Sequence, residues 1–174
     1  MKAVGVIPAR WASTRLPGKS LVPLCGKPMV QWVVERVRQA QRLSEVIVAT
    51  DDERILQAVE AFGGVAVMTR PDHPSGTDRI AEATCEIDAD LVLNVQGDEP
   101  LIAPELIDDL VLAMEAGMEW DMGTAAAPIE SAADLENPSI VKVVWGADHG
   151  ALYFSRSPIP FVRDDDMQGK VQHW

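Results

Sequence analysis

Four times between residues 3 and 117, a short apolar run of strand length is followed by a stretch whose apolar residues recur at helical spacing. No other feature constrains the fold as much, because parallel strands need a long crossover between them and a helix is the usual one. The strand-length runs are residues 3–7, 45–50, 65–68 and 91–95. Pro8 is expected to end the first, since proline cannot donate to a ladder. Met29, Trp32, Val33, Val37 and Ala40 predict a helix over 28–41. Ile55, Leu56, Val59 and Phe62 predict another, after a turn or N-cap at Asp51-Asp52 and before Gly63-Gly64. Ile80, Ala81, Ala83 and Thr84 mark a third helix. Leu106, Ile107, Leu110, Val111 and Met114 mark a fourth, from near Pro104 to Gly117. The uninterrupted run at 91–95 reads as a central strand covered on both faces. Beyond 117 the pattern changes to strand-like segments at 124–127, 140–145 and 151–155 without comparable helices. The reading is α/β: a mostly parallel sheet, helices on both faces, and a mixed edge, in a single domain over 1–174.

Charge is distributed unevenly along this frame. Residues 1–42 hold eight Lys/Arg against one acid, Glu35, while the remaining chain holds seven against 26, for a net charge of −12. Such an acidic chain does not suit nucleic acid or an anionic membrane, so a local cationic patch implies a small anionic ligand. Arg36, Arg38 and Arg42 read as a solvated helical face, whereas Arg10, Arg15 and Lys19 lie in the turn-rich segment straight after a strand. No apolar stretch reaches membrane-spanning length and the start lacks a signal-peptide pattern, so a cytoplasmic protein is expected. Cys25 and Cys85 have no metal or disulfide spacing and are expected to be small buried or partly buried thiols.

Three loops and one strand end carry candidate chemistry. In the loop from Pro8 to Lys19, Arg10, Arg15 and Lys19 supply converging cations, and Ser13, Thr14 and Gly18 let a polyphosphate approach the main chain. Neither G-x-G-x-x-G nor G-x-x-x-x-G-K-[ST] is present, which argues against a dinucleotide fold or a P-loop enzyme. Trp11 reads as a core anchor or a loop cover. In Gln96-Gly97-Asp98-Glu99-Pro100, Asp98 is placed either to hold Mg²⁺ against a triphosphate or to serve as a turn or helix-cap aspartate, Gly97 letting a ligand approach. Across Arg70 to Arg79, Ser75 or Thr77 caps the following helix and His73 reads as a hydrogen-bonded spectator. Arg156 ends the last strand-like run, facing either a substrate carboxylate or a surface acid.

Together Ile7-Pro8-Ala9-Arg10, Ser13-Thr14-Arg15-Leu16-Pro17-Gly18-Lys19, Gly26-Lys27-Pro28-Met29, Ala49-Thr50-Asp51, Met68-Thr69-Arg70, His73 through Ser75-Gly76-Thr77, Val95-Gln96-Gly97-Asp98-Glu99-Pro100, Val141-Lys142-Val143-Val144 and Ala151-Leu152-Tyr153-Phe154-Ser155-Arg156 resemble one enzyme family along essentially the whole chain. It is the 3-deoxy-manno-octulosonate cytidylyltransferases, or CMP-Kdo synthetases, of lipopolysaccharide biosynthesis. The resemblance implies a three-layer α/β/α sandwich of the nucleotide-diphospho-sugar transferase type, CTP and an acidic sugar as substrates, Mg²⁺ as cofactor and a homodimer. It places Arg10, Arg15 and Lys19 on the triphosphate and Asp98 on the metal. Pro8, Ala9, Arg70, Ser75, Gly76 and Gln96 would surround the cytidine, and Arg156 would meet the sugar acid. Related readings are a cytidylyltransferase for 8-amino-Kdo or a sialic acid, and a nucleotide-binding remnant. The family continues past Trp174 with a further metal aspartate and sugar contacts, so the expectation for residues 1–174 is weak CTP binding and slow or no turnover.

Overall fold

Alternation along two strands sorts their side chains onto the two faces of one sheet. The strands are β1 (Ala3–Ala9) and β4 (Leu43–Thr50), paired in parallel from Val4↔Glu45 to Ala9↔Thr50. Ile7, Ala9, Val46 and Val48 turn to one face, and Val4, Val6, Ile47 and Ala49 to the other. Their outer neighbours are β5 (Val65–Met68) beside β4 and β6 (Leu91–Asn94) beside β1, all parallel, giving the order β5-β4-β1-β6. The computed structural model describes residues 1–12, 16–116, 120–163 and 173–174. Contacts divide the chain into two compact units, Met1–Gly123 and Thr124–Trp174.

In the first unit the crossover helices build a layer on each face. α1 (Met29–Val37) buries Val30, Val33, Val34 and Val37 against the first face. α2 (Glu53–Ala61) adds Ile55 and Val59, and α4 (Pro104–Glu115) adds Ile107. On the second face α3 (Gly76–Thr84) contributes Ile80 and Ala83. Two separate apolar clusters therefore sandwich the sheet, the arrangement expected of continuous parallel strands.

Several boundaries differ from the sequence reading for identifiable reasons. β1 continues through Pro8 to Ala9. The carbonyl of Val6 accepts from the Val95 N–H (2.9 Å), so the ladder's alternation points Pro8 the same way, beyond the last β1–β6 pair, Val6↔Asn94. No strand amide is owed there, and proline costs no ladder bond. β6 lies at an edge of the described sheet instead of at its centre, with Val92 exposed. α1 stops at Val37, and residues 38–40 tighten into i→i+3 bonds from Gln39 to Arg36 and Ala40 to Val37. A hairpin of β2 (Pro23–Leu24) and β3 (Lys27–Pro28) was not foreseen; Cys25 and Gly26, both at positive φ, make its two-residue turn.

Both cysteines are exposed, which corrects the expected burial: Cys25 sits at that hairpin tip and Cys85 at the C-cap of α3. Among the described residues no helix is long and apolar enough to cross a membrane. The second unit contains α5 (Ala132–Glu136) and an antiparallel hairpin of β7 (Lys142–Trp145) and β8 (Ala151–Ser155). Residues 124–127 form no strand, and among the described strands β7 and β8 pair with each other. Lys142 is fully buried, its ammonium donating to the carbonyls of Asn137, Ile140 and Arg156 at 2.8–3.0 Å.

Candidate active site

Strand order reverses at β1: the chain steps outward to β4 and β5, then returns to set β6 on the other side of β1. The loops after β1 and β6 leave from neighbouring carboxyl ends at this reversal, and such a switch point is where open α/β sheets bind ligands. A pocket of about 200 Å³ opens there. Pro8 and Arg10 form its wall from the end of β1, Gln96 from the loop after β6, and His73, Pro74, Ser75, Gly76 and Arg79 from the start of α3. A larger cavity of about 280 Å³, between Arg38, Glu45 and Val65, lies at the start of β4 and holds none of the candidate residues.

The helical side of this pocket is rigidly held. Ser75 caps α3, its hydroxyl oxygen accepting the Asp78 N–H at 3.2 Å while the hydroxyl donates to the Asp78 carboxylate at 2.5 Å. Thr77 is not the cap. Gly76, the first residue of α3, faces the ring of Pro8. His73 is a hydrogen-bonded group as expected, its Nε2 against Glu82, but it also forms part of the pocket wall. Glu82 further accepts the Arg70 N–H at 3.2 Å, and the imidazole first, then that N–H and the Arg70 charge, hold its carboxyl below the usual carboxylate range.

Arg79 is the residue the sequence reading missed. It lies one turn before Ala83 on the buried face of α3 and is 3% exposed. Its guanidinium donates to Asp51 at 2.9 Å, to the Thr69 hydroxyl, and to the Arg70 carbonyl at 3.4 Å. A cation on a helix's apolar stripe, with an aspartate just after a neighbouring strand, was the signal available.

On the opposite side the basic loop is tied at its ends. Gly18 donates to the carbonyl of Trp11 at 2.9 Å, and the Trp11 N–H donates to Asp51 at 3.2 Å. Gly18 has φ +68 and a Cβ there would lie 2.8 Å from the Trp11 ring, so only glycine suits it. Trp11 is both loop cover and partial core anchor: Arg54 stacks over its outer face at 3.3 Å, and the ring packs on the core. Arg54 also pairs bidentately with Asp52, the N-cap of α2, and holds that carboxyl low.

Lys19 opens a single 3-10 turn, Lys19–Leu21, and pairs with Asp98 at 2.6 Å; the two side chains are 40% and 50% exposed. Asp98 occupies the turn closed by Glu99 N–H donating to Gln96, and Ala103, not Asp98, is the N-cap of α4. Gly97 answers a need of the protein itself, because a Cβ there would lie 2.9 Å from the carbonyl oxygen of Pro8.

Of the candidate residues, the structure brings Pro8, Arg10, Ser75, Gly76 and Gln96 into one wall. The Ala9 methyl is in the core, and the exposed Arg70 side chain turns to Asp72 and Glu82. Ser13 and Arg15 lie outside the described residues. Arg156 belongs to the second unit, where it donates to the Pro138 carbonyl at 2.7 Å. Among the described residues no group of three or more His, Cys, Asp or Glu is placed to hold a metal.

A family model described as cytidylyltransferase matches residues 4–173. The 3-deoxy-manno-octulosonate cytidylyltransferase of Geobacter metallireducens is 54% identical over 164 residues, 94% of this chain and 65% of that protein. That of Escherichia coli is 50% identical over 99% of this chain and 70% of its own length. The chain thus spans about two thirds of the length of the curated relatives it matches. Among solved structures, a CMP:2-keto-3-deoxy-manno-octonic acid synthetase complexed with CTP superposes with a TM-score of 0.94 at 50% identity, covering 99% of this chain and 70% of that one. A cytidylyltransferase from Leptospira borgpetersenii, 26% identical, covers 68% of this chain and 51% of its own with a TM-score of 0.59. With the family model spanning nearly the whole sequence and half its residues shared with such relatives, this α/β chain belongs to the cytidylyltransferase family.

Proposed function

We propose that the protein activates 3-deoxy-manno-octulosonate with CTP, giving CMP-Kdo and pyrophosphate for lipopolysaccharide biosynthesis. The observation that carries this reading is the switch-point pocket, where Pro8, Arg10, Ser75, Gly76 and Gln96 meet beside the turn bearing Asp98 and its partner Lys19. The relatives' shared name and the CTP-bound neighbour support the choice of substrates. The cytidine lies against Pro8, the main chain of Ala9, Ser75, Gly76 and Gln96, with Arg70 at the margin. Arg10, Arg15 and Lys19 draw in the triphosphate, and Arg156 takes the sugar carboxylate.

The anomeric hydroxyl oxygen of the sugar forms a bond to the α-phosphorus, the bond from that phosphorus to the β-bridging oxygen breaks, and pyrophosphate departs. The hydroxyl proton is lost to solvent. No protein nucleophile is required, because such transfers depend on positioning and charge stabilisation. Asp98 suits Mg²⁺: it is a hard, half-exposed carboxylate, and Mg²⁺ takes one or two such ligands with the rest from phosphates and water. Mg²⁺ would offset phosphate charge. In the free protein Lys19 and Asp98 neutralise each other; on nucleotide binding Lys19 would turn to phosphate, leaving Asp98 as the residue that would hold Mg²⁺.

The protein acts as a homodimer in the cytoplasm. Exposed Leu152, Tyr153, Phe154 and Phe161 on and after β8 favour a second copy as their cover, and two exposed unpaired thiols suit a reducing compartment. Isothermal titration of CTP with and without Mg²⁺, beside a pyrophosphate-release assay with Kdo, tests the reading. CTP binding that Mg²⁺ strengthens in the native chain but not in Asp98→Asn is expected. Binding no tighter for CTP than for ATP would overturn it.

A further inference from the structure

We propose that Asp51 is a positioning residue that couples the nucleotide's two recognition sites, by holding the phosphate loop with one oxygen and the base-pocket wall with the other. The proposal rests on the CTP reading above and assigns a role to residues outside the cation and metal set. Its geometry is specific. Oδ1 of Asp51 accepts the Trp11 N–H at 3.2 Å, where the basic loop leaves β1. Oδ2 accepts from Arg79 at 2.9 Å, and Arg79 forms part of the pocket wall. The guanidinium is buried, at 3% exposure, and the carboxylate is partly buried, at 10%.

Two further contacts make Arg79 stiff. The same guanidinium donates to the Thr69 hydroxyl and the Arg70 carbonyl, while Thr69 donates in turn to the Thr50 carbonyl at 3.0 Å. The ends of β1, β4 and β5 and one turn of α3 are thereby linked by a buried polar chain passing through one carboxylate. A buried pair of this kind tolerates little rearrangement, because any group left unpaired carries its full desolvation penalty. At the other oxygen the arrangement is different. The Trp11 bond is the strut's hold on a loop whose far end closes at Gly18 and leads directly into Lys19. Small displacements there change how far the cations sit from phosphate oxygens, and charge-assisted contacts are sensitive to that.

Asparagine at position 51 keeps one acceptor and adds two donors, so it satisfies Trp11 or Arg79 but presents an amide N–H to the other. Because Arg79 keeps its contacts to Thr69 and the Arg70 carbonyl whichever way the amide turns, while the carboxylate's own hold on the loop is the single Trp11 N–H, the loop side is released. The test is titration of CTP and CMP against the native chain, Asp51→Asn and Arg79→Lys, reading the ratio of the two affinities. For Asp51→Asn, CTP affinity is expected to fall tenfold or more and CMP affinity less than threefold. For Arg79→Lys, which loosens the wall but leaves Asp51 on Trp11, both affinities fall together and their ratio stays near native. A general loss of stability lowers both without moving the ratio, so the ratio separates coupling from scaffolding. Should Asp51→Asn not fold, Asp51→Glu, with its oxygens one methylene further out, is read instead with the same expectation. Native binding of CTP with an unchanged ratio in the position-51 variant overturns the coupling alone. No CTP binding by the native chain overturns the CTP reading and this inference with it.

Discussion

The two sides of the crevice hold their charges in opposite ways. On the α3 side a buried Arg79 pairs with a partly buried Asp51, Ser75 is locked into a cap, and His73 is held on Glu82. On the loop side Lys19 and Asp98 pair in the open, each about half exposed. A buried ion pair is costly to assemble and costly to break, whereas an exposed one is worth little to the fold. The first side is therefore a preformed wall that a base can meet without rearrangement. The second is a pair whose charges can be redirected at small cost to stability, which the exchange proposed above requires.

The sharpest way to break that comparison is to remove one cation from each side. Arg79→Met leaves the partly buried Asp51 carboxylate without its cation, and a loss of about 3 kcal/mol in unfolding free energy is expected. Lys19→Met removes an exposed partner and should cost about 0–1 kcal/mol. Urea denaturation of the two variants reads both numbers. Equal losses would mean that burial does not distinguish the sides.

Ligand binding should invert the order. Lys19→Ala and Arg15→Ala are expected to weaken CTP binding by about 1.5–3 kcal/mol and CMP binding far less, as expected for lost contacts to charged phosphates. Calorimetric titration with both nucleotides measures the difference. Equal losses for CTP and CMP would show that these cations do not read the β and γ phosphates.

Between the two sides runs the close passage of Gly97 over the Pro8 carbonyl, where a Cβ would come within 2.9 Å of backbone oxygen. Gly97→Ala is expected to destabilise the fold by about 1–3 kcal/mol, since neither backbone can yield as a flexible side chain would. Thermal unfolding checks it. A variant as stable as the native chain would show that the crevice is wider than described, with room for ligand at Gly97 itself.

The same division by burial governs what the sequence disclosed. The βα repeats, the Gly63 stop of α2, the Pro104 start of α4 and the Asp52 cap were legible because each is local chemistry in a few adjacent residues. The basic loop and the Asp98 turn were legible as candidates because cations after a strand and an acid at a strand's end stand out in one dimension. Arg79 was not, because its meaning depends on Asp51, 28 residues away, being brought beside it by the sheet. Pro8 misled for a related reason: whether proline ends a strand depends on which neighbour its amide would have faced. Exposure at Cys25 was likewise hidden, since it follows from a two-residue hairpin turn that apolar periodicity does not register.

The smallest expected effect lies behind the pocket wall, at Glu82, the partner of His73. Its carboxyl is held below the ordinary value of 4.5 by the His73 imidazole first, with the Arg70 N–H and charge adding to it. An acid whose folded pKa is depressed contributes stability that is fully present above its unfolded pKa and is lost as the pH falls through the folded one. The window is thus acidic, beginning near 4.5 and extending below it, and neutral solution lies on the plateau. Glu82→Gln removes the titration while keeping an oxygen for the Arg70 N–H. The difference in urea midpoint between native chain and variant is expected to be constant well above that value and to shrink steadily below it. A difference that instead grew as the solution was acidified would mean that the neutral acid is the form the His73 contact favours, and the wall would then be held by an uncharged hydrogen bond instead of a carboxylate.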